Sequence, residues 1–264
     1  METLAALGES LPITGILDEG DCITYYFDDG VLTPAIIESI SSWIPRGSDV
    51  QIETTSVEEQ NWNAEFEKSL EPVRVGPDLV ITQSWNSALA AGPNDLVITI
   101  DPKMSFGTGH HESTRLIATL LRRLELSSRR VLDIGTGTGL LAIVAAKMGA
   151  GYVEAIDNNE WAVENTHENV LLNGANDVIV RLGELADVVA TDFDVILANI
   201  HRNVIMELLP RMYEKLSTRP DASLLTSGVL IEDYDSLVEA AANIGFKPIE
   251  DERENEWIAT RFVR

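Results

Sequence analysis

Apolar and polar positions alternate regularly along the chain from about residue 94 onward. Short runs of β-branched and other apolar residues predict strands, and longer segments with one apolar face predict helices between them. The predicted strands are Leu96–Ile100, Val131–Ile134, Tyr152–Ile156, Val178–Leu182, Phe193–Asn199, Ala222–Ser227, Phe246–Asp251 and Trp257–Phe262. The predicted helices lie near 112–124, 140–149, 159–173, 201–217 and 232–244. This alternation predicts a parallel sheet with helices on both faces. The last two strands have no helix between them, so we expect them to form an antiparallel hairpin at one edge.

The first 57 residues have a different pattern, which predicts a small α+β domain. Its predicted helices are Met1–Leu11 and Thr33–Trp43, and its predicted strands are Ile13–Ile16, Asp21–Phe27 and Asp49–Thr54. The pattern over residues 58–93 predicts a linker. It consists of a connecting helix over Val57–Leu70 followed by a hairpin of Val73–Val75 and Leu79–Thr82. The expected organisation is therefore an N-terminal domain over 1–57, a linker over 58–93 and a larger α/β domain over 94–264.

Composition narrows the cellular setting. The 264 residues carry a formal net charge of −24, which repels nucleic acid and attracts a basic protein, although adaptation to a salty cytoplasm would give the same charge. No apolar run approaches the roughly 18 residues of a membrane span, and Met1–Pro12 lacks the basic segment of a signal peptide. The single Cys22 excludes an internal disulfide, and no cysteine or histidine cluster has metal-ligand spacing. We expect a cytoplasmic monomer with a basic protein partner, no metal, no membrane contact and no direct contact with nucleic acid.

The most informative stretch is Asp133–Gly139, which reads D-I-G-T-G-T-G between a predicted strand and a predicted helix. Glycines at alternate positions leave bare backbone against which a ligand can lie, and the helix start offers unpaired N–H groups. Asp157 ends the next predicted strand, where a carboxylate can accept hydrogen bonds from both hydroxyls of a ribose. The glycine loop together with Asp157 predicts a cofactor that contains a nucleoside.

The spacing of the glycines favours one such cofactor. The dinucleotide fingerprint is G-x-G-x-x-G, whereas here the third glycine comes one position early, at Gly139. G-x-G-x-G after an acid, Asp133, is the S-adenosylmethionine (SAM) pattern of class I methyltransferases. A dinucleotide loop and a plain strand–helix turn are the alternatives.

Two further clusters accompany the glycine loop. Asp101–Thr114 holds two glycines and several hydroxyls just before a helix, which indicates a loop that folds over a ligand or a simple connection. His110 and His111 are adjacent in this loop, and this spacing argues against a metal role. The segment Asp194–Ile200 ends a strand at the edge where ligands bind in such sheets. In amino-methyltransferases an Asn-Pro-Pro-Tyr segment at this place holds the nucleophilic nitrogen. Here Ile200 and His201 replace the prolines, which favours an amine over a planar amide.

These strings together resemble the PrmA family, which methylates protein eleven of the large ribosomal subunit. The family hallmark D-P-x-x-x-F-G-T-G-x-H-x-[ST]-T is met by Asp101–Thr114, and the resemblance runs from about residue 57 to the end. It implies a seven-stranded, Rossmann-like class I methyltransferase sheet of the α/β class, with a small α+β N-terminal domain. That domain would be a shortened ferredoxin-like unit that grips the substrate, because the chain begins inside what would be its first helix.

The resemblance also implies the site. Asn199 and the carbonyl of Ile200 would hold the incoming amine beside the methyl group, and Trp85 would belong to the substrate entrance or to a core. Asp157 would hold the ribose hydroxyls. The implied cofactor contacts are Phe106, Thr108, Ser113, Asp133, Gly135, Thr136, Gly137, Gly139, Asp157, Asn158 and Asn199. No metal ligands are implied.

The predicted function is transfer of methyl groups from SAM to lysine side chains, an N-terminal amine, or both, in a large-subunit ribosomal protein. Three alternatives stay open. One is a methyltransferase for another protein or a small amine. The second is a SAM-binding protein without catalysis, and the third is a dinucleotide-dependent oxidoreductase, against which the early third glycine and the edge hairpin argue.

Overall fold

The computed structural model describes residues 11–19, 22–44, 47–56, 69–86 and 91–264. The chain divides into two compact units, Met1–Gln60 and Asn61–Arg264. Within the described residues, no helix is both long enough and apolar enough to cross a membrane.

The first unit holds a two-stranded antiparallel sheet, β1 (Gly15–Asp18) with β2 (Ile23–Tyr26), followed by helix α1 (Pro34–Trp43). The side chain of Thr33 caps α1 by accepting a hydrogen bond from the backbone N–H of Ile36 at 3.4 Å. Both strands and this helix were predicted, with bounds that differ by a few residues. The strand predicted over Asp49–Thr54 is wrong, because residues 47–56 form no regular strand. The helices predicted over Met1–Leu11 and Val57–Leu70 lie almost wholly outside the described residues.

The second unit begins with a three-stranded sheet that the sequence only partly predicted. Strands β3 (Val73–Val75) and β4 (Leu79–Thr82) form the expected hairpin, and β5 (Leu96–Thr99) pairs with β4 in parallel. We expected the strand at Leu96 to join the large parallel sheet. That expectation is wrong, because its hydrogen-bonding partner is the hairpin that precedes it.

The large sheet has seven strands, as the family resemblance implied. They are β6 (Arg130–Ile134), β7 (Tyr152–Asp157), β8 (Val178–Leu182), β9 (Val195–Asn199), β10 (Ser223–Leu230), β11 (Lys247–Glu254) and β12 (Trp257–Val263). Their order in the sheet is β11-β12-β10-β9-β6-β7-β8. The five strands from β10 to β8 in this order run parallel, and β11 and β12 form the predicted antiparallel hairpin at one edge.

Helices cover both faces of this sheet and explain its apolar strands. In β9 the side chain of Leu197 packs into the core on one face, whereas Ile196 and Ala198 pack into the core on the other. Helices α2, α3 and α4 lie over the first of these cores, and α5 and α6 over the second. Their bounds are α2 (Glu112–Arg122), α3 (Leu140–Lys147), α4 (Glu160–Leu172), α5 (Arg202–Lys215) and α6 (Tyr234–Ile244). A short 3-10 turn, Ile231–Asp233, precedes α6.

The strand order reverses direction at β6, whose neighbours are β7 on one side and β9 on the other. Loops leave the carboxyl ends of adjacent strands on opposite faces at such a point, which opens a crevice. The glycine loop that follows β6 lies at this crevice.

Candidate active site

A large cavity of about 1420 Å³ occupies the carboxyl ends of β6, β7, β8 and β9. Its walls come from the segment that follows each of these strands and from residues 103–106. Typical small-molecule pockets measure roughly 300–1,000 Å³, so this cavity has room for a nucleoside-sized ligand and part of a second molecule.

The glycines of the loop have no room for a side chain, because atoms of other segments of the protein lie close to them. Gly137 has φ +58°, and a Cβ there would stand 2.3 Å from the carbonyl oxygen of Phe106. A Cβ on Gly135 would stand 2.3 Å from Cγ2 of Ile200. Gly135 and Gly137 line the cavity, whereas Gly139 caps α3 and packs against Thr166. We expected all three glycines to expose backbone to a ligand. The structure shows a further role, because the absence of a Cβ at each glycine lets another segment of the protein pack against the loop.

Asp157, at the end of β7, is held by the backbone on both of its carboxylate oxygens. The N–H of Gly137 donates to Oδ2 at 3.0 Å, and the N–H of Asn159 donates to Oδ1 at 3.0 Å. A carboxylate has about four acceptor sites, so each oxygen keeps capacity for one more donor. Asp157 and its neighbour Asn158 line the cavity. The site therefore offers a fixed acceptor pair of the kind that ribose hydroxyls need.

Residues 101–111, which we term the covering loop, are tied onto the glycine loop. The N–H of Thr138 donates to the Phe106 carbonyl at 2.9 Å, and its hydroxyl donates to the Gly107 carbonyl at 2.8 Å. Phe106 is half exposed and lines the cavity. The hydroxyl of Thr108, in contrast, lies 3.1 Å from Nδ1 of His110 and does not line the cavity.

A stripe of asparagines on α4 and at its C-terminal cap holds the start of the covering loop and the strand before it in place. Asn169 is fully buried, and its amide bonds the N–H and the carbonyl of Asp101 and the carbonyl of Thr138. Asn165 donates to the same Asp101 carbonyl at 2.8 Å, and Asn173 bonds both backbone groups of Thr99. We did not predict these roles from the sequence. The signal was present, because asparagines at i, i+4 and i+8 share one face of a helix.

Asp133 does not reach the cavity. Its side chain is buried, and the hydroxyl of Thr136 donates to its Oδ2 at 2.6 Å. Burial raises the pKa of Asp133 to about 6, although the hydrogen bonds from Thr136 and from the N–H of Ala142 favour the ionised form. Of the predicted contacts, the structure brings to the cavity wall Phe106, Ser113, Gly135, Gly137, Asp157, Asn158, Asn199 and Ile200. The other predicted contacts do not line the cavity, and they are Thr108, Asp133, Thr136 and Gly139.

Asn199 ends β9, lines the cavity and has one side-chain atom paired and one unpaired among the described residues. Its Nδ2 donates to the hydroxyl of Thr114 at 3.2 Å, which fixes the amide plane. Its Oδ1 is buried and has no hydrogen-bond partner in the described parts of the chain. A buried acceptor without a partner costs about 1–3 kcal/mol, so a donor from a bound molecule is expected there. The neighbouring Ile200 packs on Gly135, and its carbonyl faces Gly228, where a Cβ would stand only 2.5 Å away.

An aromatic cluster that we did not predict lies beside Asn199. The ring of His111 lies 5.3 Å from that of Phe106 and 4.7 Å from that of Trp257, edge-on to both. The N–H of Ser113 donates to Nδ1 of His111 at 3.2 Å, so a neutral ring carries its proton on Nε2. The three rings and Ser113 all line the cavity. Trp257 is the first residue of β12 in the edge hairpin. The sequence gives no sign that this residue lines the same cavity as Asn199.

Other residues complete the wall. Gly183, Glu184 and Leu185 follow β8 and line the cavity, a location that the rule for strand carboxyl ends could have found. Trp85 is 43% exposed and lies outside the cavity lining. Among the described residues, no group of three or more His, Cys, Asp or Glu side chains is placed to hold a metal ion.

Comparison with known proteins matches this architecture to one family. The family model described as ribosomal protein L11 methyltransferase (PrmA) matches residues 5–264. The chain is 39% identical over 218 residues to the ribosomal protein L11 methyltransferase of Chlorobaculum tepidum, covering 81% of this chain and 74% of the relative. It is 31% identical over 262 residues to that of Bacteroides fragilis, covering 98% of this chain and 92% of the relative.

The chain belongs to the ribosomal protein L11 methyltransferase family. A crystal structure of ribosomal protein L11 methylase from Lactobacillus delbrueckii subsp. bulgaricus superposes with a TM-score of 0.69 at 29% identity, covering 74% of this chain and 99% of that one. The predicted family, fold and cofactor are therefore confirmed, and the chain is a SAM-dependent methyltransferase.

Proposed function

We propose that this member of the ribosomal protein L11 methyltransferase family transfers methyl groups from SAM to amino groups of ribosomal protein L11. The acceptors are lysine side chains, the N-terminal amine, or both. The observation that carries the proposal is Asn199, whose buried Oδ1 has no partner among the described residues and which lines a cavity that exceeds the size needed for a nucleoside ligand.

The residues present fit SAM. The Asp157 carboxylate, already oriented by the N–H groups of Gly137 and Asn159, has acceptor capacity for two ribose hydroxyls. Phe106 offers an exposed ring over the glycine loop, and Gly135 leaves its backbone open to the cavity. When bound, SAM supplies a methyl group on a positively charged sulfur, which a neutral amine can attack directly.

Asn199 orients the amine. Because its Nδ2 is bonded to Thr114, its Oδ1 is fixed as an acceptor for an amine N–H. An amine that donates one hydrogen to this oxygen keeps its lone pair free for attack, and such orientation lowers the barrier by making the encounter intramolecular. The Ile200 carbonyl is proposed as a second acceptor.

The acceptor must lose a proton before transfer. A lysine side chain has a pKa of about 10.4 in water, so most of it is charged at neutral pH. Removal from water into the cavity disfavours the charged form, and the proton leaves to solvent as the amine enters. The imidazole of His201 is exposed, and its Nδ1 accepts from the N–H of Asn203, so we assign it no role as a base.

The remaining expectations form part of the same proposal. Residues 1–57 are proposed to recognise the substrate, 58–93 to link the domains and 94–264 to carry the transfer chemistry. The net charge of −24 favours an encounter with a basic protein over one with nucleic acid or an anionic membrane. We propose that the enzyme is cytoplasmic and acts as a monomer.

The test is to incubate the purified protein with SAM and with ribosomal protein L11 of the same organism, and then to weigh L11 by intact mass spectrometry. We expect gains in steps of about 14 Da, one for each methyl group. Peptide mapping then separates lysine side chains from the N-terminal amine. An unchanged L11 mass, together with measurable SAM binding, would contradict the proposed substrate and favour another protein, a small amine or a SAM-binding role without catalysis.

A further inference from the structure

A second, smaller cavity of about 340 Å³ adjoins the large one beside the transfer site. The two cavities share His201, Gly228 and Trp257 as wall residues. Gly228 is also the residue against which the Ile200 carbonyl packs, so the shared wall is next to the proposed acceptor site. His201 and Asn203 on the wall of the small cavity are exposed, and the cavity therefore opens to solvent at the start of α5.

The backbone around this opening is held firmly. The N–H of Ile231 donates to the carbonyl of Glu256 at 2.8 Å, which joins the 3-10 turn before α6 to the β11–β12 turn. Asn255 of the latter turn donates to the Glu112 carboxylate at 2.8 Å. A rigid surface of this kind loses little conformational entropy when a partner binds.

Charge in the segments that border the small cavity is mainly negative. On its wall Arg202 and Asp233 neutralise one another through an ion pair of 2.5 Å. In the sequence Glu232 and Asp235 flank Asp233 and Tyr234, and Glu256 precedes the wall residue Trp257. These three carboxylates are exposed and make no ion pair or side-chain hydrogen bond with any residue in the described ranges, and the guanidinium of Arg253 lies 5.5 Å from the centre of the Tyr234 ring. We term these three residues the acidic face. A peptide segment that carries a lysine arrives as a cation and complements this face.

We propose that the small cavity and its acidic face are the docking surface for a basic, lysine-bearing segment of the protein substrate, which enters the large cavity past Trp257. This inference rests on the proposed function and specifies the side from which the substrate segment enters the large cavity. The opposite direction, past the exposed Trp161 and Glu164 on α4, is the rival entrance.

The first test removes the charge of the acidic face with the triple variant Glu232→Gln, Asp235→Asn, Glu256→Gln. The matched control, Asp177→Asn, Glu214→Gln, Glu239→Gln, changes the net charge equally at exposed positions that line neither cavity. Charges at the edge of an interface act mainly on the rate of encounter and on its salt dependence. We expect KM for ribosomal protein L11 to rise by about 10-fold at low salt in the first variant, with a weaker salt dependence, while kcat and the Kd of SAM stay constant.

Three results overturn the inference: KM unchanged in the acidic-face variant, KM raised equally in both triple variants, or a change in the Kd of SAM in place of KM. If wild-type protein fails to methylate L11 at all, the proposed function fails instead, and this result is visible before any variant is compared.

A second test needs no charge change. The photo-crosslinking residue benzoylphenylalanine is placed at Asn203 on the small cavity, and in a control protein at Leu171, which is exposed on α4. Irradiation with L11 should give a crosslinked product from position 203 and none from position 171. Crosslinking from 171 alone, or from a probe at Trp161 alone, would contradict the proposed docking surface.

Discussion

The two polar side chains that end β7 and β9 on the wall of the large cavity differ in how far the chain satisfies them. At the β7 end, both oxygens of the Asp157 carboxylate accept backbone N–H groups, and the glycine and covering loops are bonded to each other. At the β9 end, the Asn199 amide has one bonded atom and one buried atom without a partner among the described residues. In terms of the proposed function, the carboxylate at the cofactor end is held by the chain in advance, whereas the amide at the acceptor end keeps an oxygen for the substrate to pair.

The largest expected effect comes from breaking the cofactor end. In Asp157→Ala both backbone donors lose a charged acceptor and the ribose hydroxyls lose theirs. Hydrogen bonds to charged groups contribute about 1.5–3 kcal/mol each, so the Kd of SAM should rise by about 100-fold or more. Isothermal titration calorimetry measures this, with Asp177→Asn as a control for loss of a carboxylate elsewhere. A Kd within about 3-fold of wild type would show that Asp157 does not hold the cofactor.

Breaking the acceptor end should have a different signature. Asn199→Ala removes the acceptor that orients the amine, and we expect kcat on L11 to fall by about 100-fold, an effect similar to loss of one oriented polar group in other active sites. The Kd of SAM should change by less than about 3-fold, because β9 is separated by β6 from β7, which carries Asp157. This result would show that the implied contact of Asn199 with the cofactor contributes little to affinity. Asn199→Asp retains an acceptor and should lose less activity than the alanine variant.

The asparagine stripe on α4 sharpens the comparison, because it builds the cofactor end without lining it. Asn169→Leu leaves buried groups of Asp101 and Thr138 without partners. We expect a loss of about 2–3 kcal/mol in the free energy of unfolding and a fall in Tm of about 5–10 °C. Differential scanning calorimetry measures both. An unchanged Tm would mean that the buried amide does not hold the covering loop.

The last expected effect concerns the buried carboxyl of Asp133, and it shows only as a change of stability with pH. Its pKa is raised by burial to about 6 in the folded protein, above the ordinary value of 3.8. The folded protein therefore binds more protons than the unfolded chain between about pH 4 and 6, and this carboxyl makes folding less favourable as pH rises through that window. Relative to wild type, Asp133→Asn should gain up to about 3 kcal/mol between pH 4 and 6.5, and no more above it. Urea denaturation at several pH values measures the difference, and a constant difference would contradict the raised pKa.

Most of the large domain was predictable from its sequence, and the reasons are local. Strands such as β9 are apolar on both faces because helices cover both, and the glycine loop marks the start of α3. The strand at Leu96 was placed in the wrong sheet, and the one over Asp49–Thr54 does not exist. Both errors have one cause, because the apolar pattern of a strand does not specify its hydrogen-bonding partner.

The site was predictable where its residues follow one strand in sequence and less so where distant segments meet. Asp157, Asn199 and the residues near Phe106 were expected and line the cavity. The contact of His111 with Trp257 joins positions 146 residues apart, and no local pattern indicates it. The role of the glycines was also incomplete, because the atoms that a Cβ would meet belong to other segments.

The most direct measurement of the central claim compares Asp157→Ala and Asn199→Ala side by side, with the Kd of SAM and the kcat on ribosomal protein L11 determined for each. We predict that Asp157→Ala loses SAM affinity, and that Asn199→Ala keeps SAM affinity and loses turnover at saturating SAM. If Asn199→Ala retains full turnover, or loses SAM affinity as severely as Asp157→Ala does, the division of the cavity into a prebuilt cofactor end and a substrate-completed acceptor end is wrong.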